Sequence, residues 1–230
     1  MEPVNGCLIC GEDLVYKQEY SLMECYYCKQ SFQTNVTCRN HHFVCDKCHA
    51  QSAIGLIETY CLNTVSLNPI EMATDIMHSE KIKMHGPEHH FLVPAVLISA
   101  YCNTIHDNSK PAKIDMARKR AEKILGGFCG THGNCGAGVG TGIFISIITQ
   151  STPLATKEWS LSNLITGKSL ISIAEHGGPR CCKRDVYLAL IDSVRFLKEN
   201  FGIELESSEV QCQFTMNNKE CLKSSCLFYT

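Results

Sequence analysis

No apolar run in these 230 residues is long enough to span a membrane, and Met1 to Gly6 carry neither the basic nor the apolar stretch of a secretory signal. The expectation is a cytoplasmic protein. The chain also lacks a dominant charge: 21 Lys and Arg against 23 Asp and Glu leave a formal net charge of -2. That balance argues against nucleic acid and against an anionic membrane as partners. Low-complexity segments, a long linker and internal repeats are missing too. Composition is otherwise ordinary for a globular protein, 44% hydrophobic and 19% charged, enough to build a sizeable core. The excess is in cysteine, of which there are 16.

In a reducing compartment, clustered cysteines are metal ligands or reactive thiols far more often than bridges. The first fifty residues contain Cys7-x2-Cys10, Cys25-x2-Cys28, Cys38 followed by His41 and His42, and Cys45-x2-Cys48. A Cys-x2-Cys knuckle presents two thiolates to one tetrahedral ion, so Cys7, Cys10, Cys25, Cys28, Cys38, His42, Cys45 and Cys48 would serve two Zn²⁺ ions. A zinc ribbon would join Cys7, Cys10, Cys25 and Cys28, whereas a cross-braced module would interleave the pairs. Spacing leaves both open. Residues 1–50 cannot bury a self-sufficient core, so the ions would supply much of their folding free energy, on the order of 10 kcal/mol for structural zinc.

Beyond Cys48 the apolar periodicity turns helical, and the fold class reads as mainly α: a helical body over 51–205, with the zinc module before it and a cysteine-rich tail over 206–230 packed on it. Helices are expected over 49–63, after Asn68-Pro69, over 91–105, over 112–125 with Gly126-Gly127 as the stop, and over 185–201 ended by Gly202. Pro94 is tolerated only in a first turn. Val210 to Phe214 alternates like a short strand.

Three stretches in the body stand out. His85-Gly-Pro-Glu88-His89-His90 matches the text of an inverted zinc-protease motif, but Pro87 spoils the helical turn that motif needs. Pro87 is better read as opening a helix, with His85, Glu88 and His89 as a polar site at its start. The second stretch runs from Gly126 through Cys129, His132, Cys135, Gly136, Gly138 and Gly140 to Gly142 and then enters an apolar helix. Glycines at this density let backbone approach a ligand, and a helix N-terminus favours an anion, although close helix packing through Gly138 and Gly142 is the competing account. Neither a Gly-x-Gly-x-x-Gly nor a P-loop is present there. The third is Glu175-His176-Gly-Gly-Pro-Arg180-Cys181-Cys182-Lys183-Arg184, which puts two thiols at a helix N-terminus beside three cations. Those influences lower a thiol pKa, so one of the pair should be thiolate-prone. In the tail, Cys212, Cys221 and Cys226 need a fourth ligand, which Cys181 or Cys182 could supply. Four thiolates suit Zn²⁺ or a [4Fe–4S] cluster, the irregular spacing leaning to the latter.

Taken together, His-Gly-Pro-Glu-His-His-Phe-Leu-Val-Pro, Cys-Gly-x-His-Gly-x-Cys-Gly-Ala and Gly-Gly-Pro-Arg-Cys-Cys-Lys-Arg resemble a family described only as a domain of unknown function, over roughly residues 50–230. The resemblance implies small cysteine-rich proteins of anaerobic bacteria and archaea, some associated with radical-SAM or methyltransferase proteins. It implies a setting in which exposed Fe–S centres survive, and it transfers no catalytic residues.

The resulting expectation is an Fe–S- or thiolate-dependent lyase or transferase acting on a small anionic substrate in sulfur, one-carbon or elimination chemistry. An open iron, or a low-pKa thiol among Cys129, Cys135, Cys181 and Cys182, would be the electrophile or nucleophile. His85, Glu88, His89, His132 and His176 would move protons, and Gly136, Gly138, Gly140 and Arg180 would bind the anion. The competing class is a non-catalytic zinc adaptor or metal-handling protein whose first fifty residues bind a protein partner.

Overall fold

Long stretches with buried residues at helical spacing make this chain mainly α, with eight α-helices and two strands among the described residues. The computed structural model describes residues 6–230 apart from 8, 11, 27 and 28, and leaves out the side chains of 48 and 50–52. Two units are distinguished, Met1–Ser52 and Ala53–Thr230. No helix of the described residues is long and apolar enough to cross a membrane.

The first unit holds an antiparallel hairpin of β1 (Leu14–Glu24) and β2 (Ser31–Cys38). Leu14 pairs with Cys38 at its open end and Glu24 with Ser31 at its turn, with an irregularity between Tyr16 and Ser21. Every residue of β1 except Met23 is exposed, so the strand carries no inside-outside alternation for periodicity to reveal. A two-stranded ribbon of this kind is marginal alone. Cysteines lie at both of its ends, Cys7 and Cys10 with Cys38 at one and Cys25 at the other.

In the second unit α3 (Glu88–Thr104) is central, packed against α2 (Pro69–Met77), α4 (Lys110–Ala121), α6 (Gly136–Ile148) and α8 (Cys182–Phe201). Its buried run from Phe91 to Ala100 reflects contact on all sides. The expected starts and stops have local causes. Asn68 caps α2, its side-chain oxygen accepting from the N–H groups of Ile70 and Glu71, with Pro69 at the first helical position. Gly202, at φ 67°, takes the left-handed conformation that ends α8. Helix α1 (Asp46–Asn63) begins earlier than its apolar face suggests, immediately after Cys45.

Some expectations fail. Pro94 lies in the second turn of α3, not its first, so the carbonyl of His90, four residues back, loses its helical donor. Gly140 of α6 packs there, since a methyl on it would stand 2.9 Å from Pro94 Cδ and 3.3 Å from that carbonyl. Helix α4 stops at Ala121 rather than at the glycines, because its last turn tightens into bonds from Lys123 to Arg120 and from Ile124 to Ala121. Residues 210–214 form no strand: Cys212 bonds to the Phe228 carbonyl and a 3-10 turn begins at Thr215. Helix α7 (Lys157–Glu175) gave no periodic signal, since only Ser162, Ile165 and Ser169 of it are buried. A further short helix, α5 (Phe128–Thr131), precedes α6.

Candidate functional site

The open end of the hairpin gathers one set of ligands. Knuckle residues Cys7 and Cys10 precede β1, and Cys38 ends β2, so the Leu14–Cys38 pairing carries the knuckle to Cys38 and His42. The ligand atoms of Cys7, Cys10, Cys38 and His42 all lie within 4.8 Å of one another, a set that could hold a metal ion. Cys10 Sγ stands 3.9 Å from Cys38 Sγ, and His42 Nδ1 lies 3.3 Å from the former and 3.6 Å from the latter. Backbone N–H groups of Ile9 and His42 donate to the sulfurs of Cys7 and Cys38, the kind of support that orients metal-bound thiolates. The N–H of Glu12 draws the exposed Cys10 thiol down to about 6, whereas burial pushes Cys7 up.

At the turn end, Cys25 and Cys45 are both buried, and the Cys45 N–H donates to the Cys25 sulfur at 3.3 Å. Lys29, at φ 58°, bonds back to the Cys25 carbonyl and turns the knuckle. Cys28 and the Cys48 side chain, expected as the other two ligands, lie outside the described residues. The first knuckle is therefore grouped with Cys38 and His42 rather than with Cys25, the grouping that a cross-braced module requires.

In the helical unit, chemistry gathers around the start of α8. The loop before it is tied by Arg184, whose guanidinium donates to the carbonyls of Gly177 and Pro179. Lys183, Arg184 and Asp185 are buried, as are Glu88 and His89 at the start of α3. Burial raises Glu88 to about 7 and Asp185 to about 6, and lowers Lys183 to about 8. Glu88 Oε1 accepts from the Lys83 N–H, and His89 Nδ1 donates to the Gly86 carbonyl. Burial keeps His89 neutral, and its Nε2 has no hydrogen-bond partner.

The Cys181–Cys182 pair is split by the helix. Cys182, at the first position of α8, has Gly86, just before α3, and Cys135, the N-cap of α6, among the groups that act on its thiol. Cys135 in turn donates to Asp185 Oδ2 at 3.7 Å and feels Cys129. Asp185 was not among the expected site residues, although it follows the Cys-Cys-Lys-Arg run directly. Cys181 instead lines a cavity with Cys212, Cys221 and Cys226, whose wall also carries Lys183 and Arg184. Cys135 and Cys182 are thus electrostatic neighbours, while Cys181 belongs to the tail cavity.

Several roles need correction. Burial outweighs the helix end and the nearby cations, pushing Cys181 up to about 11, Cys135 up to about 12 and Cys182 higher still, so none is thiolate-prone as a free thiol. The glycines expected to bind an anion are inside α6 and serve packing. A methyl at Gly136 would overlap the His90 ring, at Gly138 it would stand 2.8 Å from Leu170 Cδ2, and Gly140 meets Pro94. His132 is exposed, stacked on Phe128 at 4.3 Å and bonded to Thr131. His176 caps α7 by donating to the Ser172 carbonyl, and half-buried His85 pairs with Glu220 across 3.5 Å. The tail packs on the body as expected, since Phe214 and Phe228 are buried and Phe228 meets Tyr187 edge-on at 5.6 Å.

The chain belongs to a family of unknown function, DUF5714, which matches residues 57–229. All three motifs that carry the resemblance fall inside that match. No curated protein and no solved structure matches the chain.

Proposed function

We propose that this protein is a metal-dependent enzyme in which a cross-braced zinc module precedes a helical domain with a thiol-lined metal site, acting on a small anionic substrate in sulfur, one-carbon or elimination chemistry. The observation that carries the metal dependence is the Cys7–Cys10–Cys38–His42 set. Tetrahedral zinc with Zn–S bonds near 2.3 Å holds two sulfurs about 3.8 Å apart, and Cys10 and Cys38 stand 3.9 Å apart. Cys25, Cys28, Cys45 and Cys48 take a second ion. In the helical domain, support comes from Glu88 and Asp185, whose pKa values are raised toward neutrality by burial, the condition for proton transfer near pH 7. Arg180, in the electrostatic reach of His85 and Cys182, would bind the anion. With Cys135 and Cys182 protonated by burial, the chemistry there rests on proton transfer by Glu88 and Asp185 rather than on a free thiolate.

The test is metal analysis of full-length protein isolated without oxygen, beside variants Cys10→Ser and Cys212→Ser. Two zinc ions per chain, both lost in Cys10→Ser, together with a further metal lost only in Cys212→Ser, support the reading. Metal confined to the N-terminal sites favours a non-catalytic zinc adaptor. One observation speaks for that second reading: Tyr16, Tyr20 and Leu22 of β1 are all more than half exposed, an apolar strand a protein partner could cover.

A further inference from the structure

Cys181 is the N-cap of α8, and Cys212, Cys221 and Cys226 lie on the irregular tail, yet all four line one cavity. Their spread differs from that of the N-terminal set. Among the described residues, Cys7, Cys10, Cys38 and His42 are the group of three or more candidate ligands whose atoms fall within 4.8 Å of one another. No three of the tail thiols do. One zinc ion needs its thiolates about 3.8 Å apart, whereas a cubane gives each thiolate its own iron and sets the sulfurs further apart. Four cysteines converging on a cavity without closing on a single point fit the larger centre.

The surroundings fit a buried, negatively charged cluster. Donors already point at two of the sulfurs: the Lys223 N–H at Cys221 and the Thr215 hydroxyl at Cys212. Hydrogen bonds to sulfur are one of the levers that set a cluster's potential. The buried ammonium of Lys183 lies on the cavity wall, donating to the Met77 carbonyl at 2.6 Å and sitting 4.1 Å from the centre of the Phe214 ring. Its electrostatic neighbours are Glu88 first, then Cys181 and Cys212. A buried cation beside four thiols is costly if they stay neutral and favourable if they become ligands of an anionic cluster.

We infer that Cys181, Cys212, Cys221 and Cys226 ligate a [4Fe–4S] cluster, with Lys183 as its buried counter-charge. This rests on the proposal of a metal site in the helical domain and names its occupant. Four thiolates replace four thiols, whose protons leave to solvent. With every iron bound to cysteine, no coordination position is open, so the cluster carries electrons or orders the tail and does not bind substrate as a Lewis acid.

The experiment is iron, sulfide and zinc analysis, with electron paramagnetic resonance of the dithionite-reduced form, on full-length protein isolated without oxygen. Four iron and four sulfide per chain and brown colour are expected. Cys181→Ser and Cys226→Ser should each lose most of the iron, Cys182→Ser should keep it, and Lys183→Met should keep the cluster at a lower midpoint potential. Circular dichroism of each variant separates cluster loss from loss of the helices. If Cys181→Ser unfolds, Cys226→Ser, outside the helices, carries the same comparison. Zinc without sulfide at these cysteines overturns the cluster and leaves the metal-site proposal standing, no metal there overturns both, and iron held equally by Cys181→Ser and Cys226→Ser overturns the ligand assignment.

Discussion

The backbone N–H of Cys45 donates to the sulfur of Cys25 at 3.3 Å, so the chain leaving β2 returns to the knuckle that joins the strands. Cys7 and Cys10 gather with Cys38 and His42 at the other end, so the hairpin joins the two groups of cysteines.

Chelation should therefore unfold residues 1–50 as a whole, while the helical unit keeps most of its circular dichroism. Loss of structural ions removes on the order of 10 kcal/mol from a module with little core. Cys25→Ser should expose the Cys10 end as well as its own. Amide exchange reads this directly, and full protection around Cys38 after metal removal would contradict it.

Glu88 should make stability fall as pH rises. Its folded pKa, about 7 because of burial, lies above its ordinary 4.5, so the folded state holds a proton that the unfolded state releases between those values. The contribution is complete below about pH 4.5 and lost by about pH 7, about 3 kcal/mol in all. Lys183 and Lys83 act on the same carboxyl in the opposite sense, and His89 lies 3.9 Å away, buried and neutral, with a linkage of the opposite sign. The informative quantity is the difference from Glu88→Gln. Urea denaturation at pH 5 and pH 7.5 should show a shallower fall in the variant, and identical slopes would rule the assignment out.

Gly142→Ala should destabilise and Gly167→Ala should not. A methyl at Gly142 would overlap Thr166 Oγ1 and stand 3.0 Å from the Ser162 carbonyl, whereas nothing lies within 4 Å of one at Gly167. Overpacking costs about 1–3 kcal/mol, and relieving a helical glycine gains roughly 0.5–1 kcal/mol. Thermal melts of the two variants should move in opposite directions. Equal shifts would mean that α6 and α7 are not packed at this distance.

Cys135 should resist alkylation. Burial first, and then the charge of Asp185, hold its thiol up to about 12, so at pH 8 very little is thiolate. Mass spectrometry after iodoacetamide treatment should find Cys135 unmodified in native protein and labelled after unfolding. Rapid native labelling would restore the reactive-thiol role that the geometry withdraws from it.

Local chemistry in the sequence by itself determined much of this protein. A Cys-x2-Cys knuckle is a short-range device, so the metal module was legible from spacing alone. So were α2, with its Asn68 cap and Pro69, and α8, with its apolar stripe and Gly202 stop, because each signal is written within a few residues. Tertiary structure decided what depends on distant partners. Which knuckle meets Cys38 follows from hairpin register, and the exposed strands carry no pattern that sets it. Whether Gly136, Gly138 and Gly140 face a ligand or a helix depends on what α3 and α7 bring to them. The division of Cys181 from Cys182 has the same origin: adjacent residues on a helix point apart, and only the packing of the tail on one side and of α3 and α6 on the other gives each thiol its neighbours.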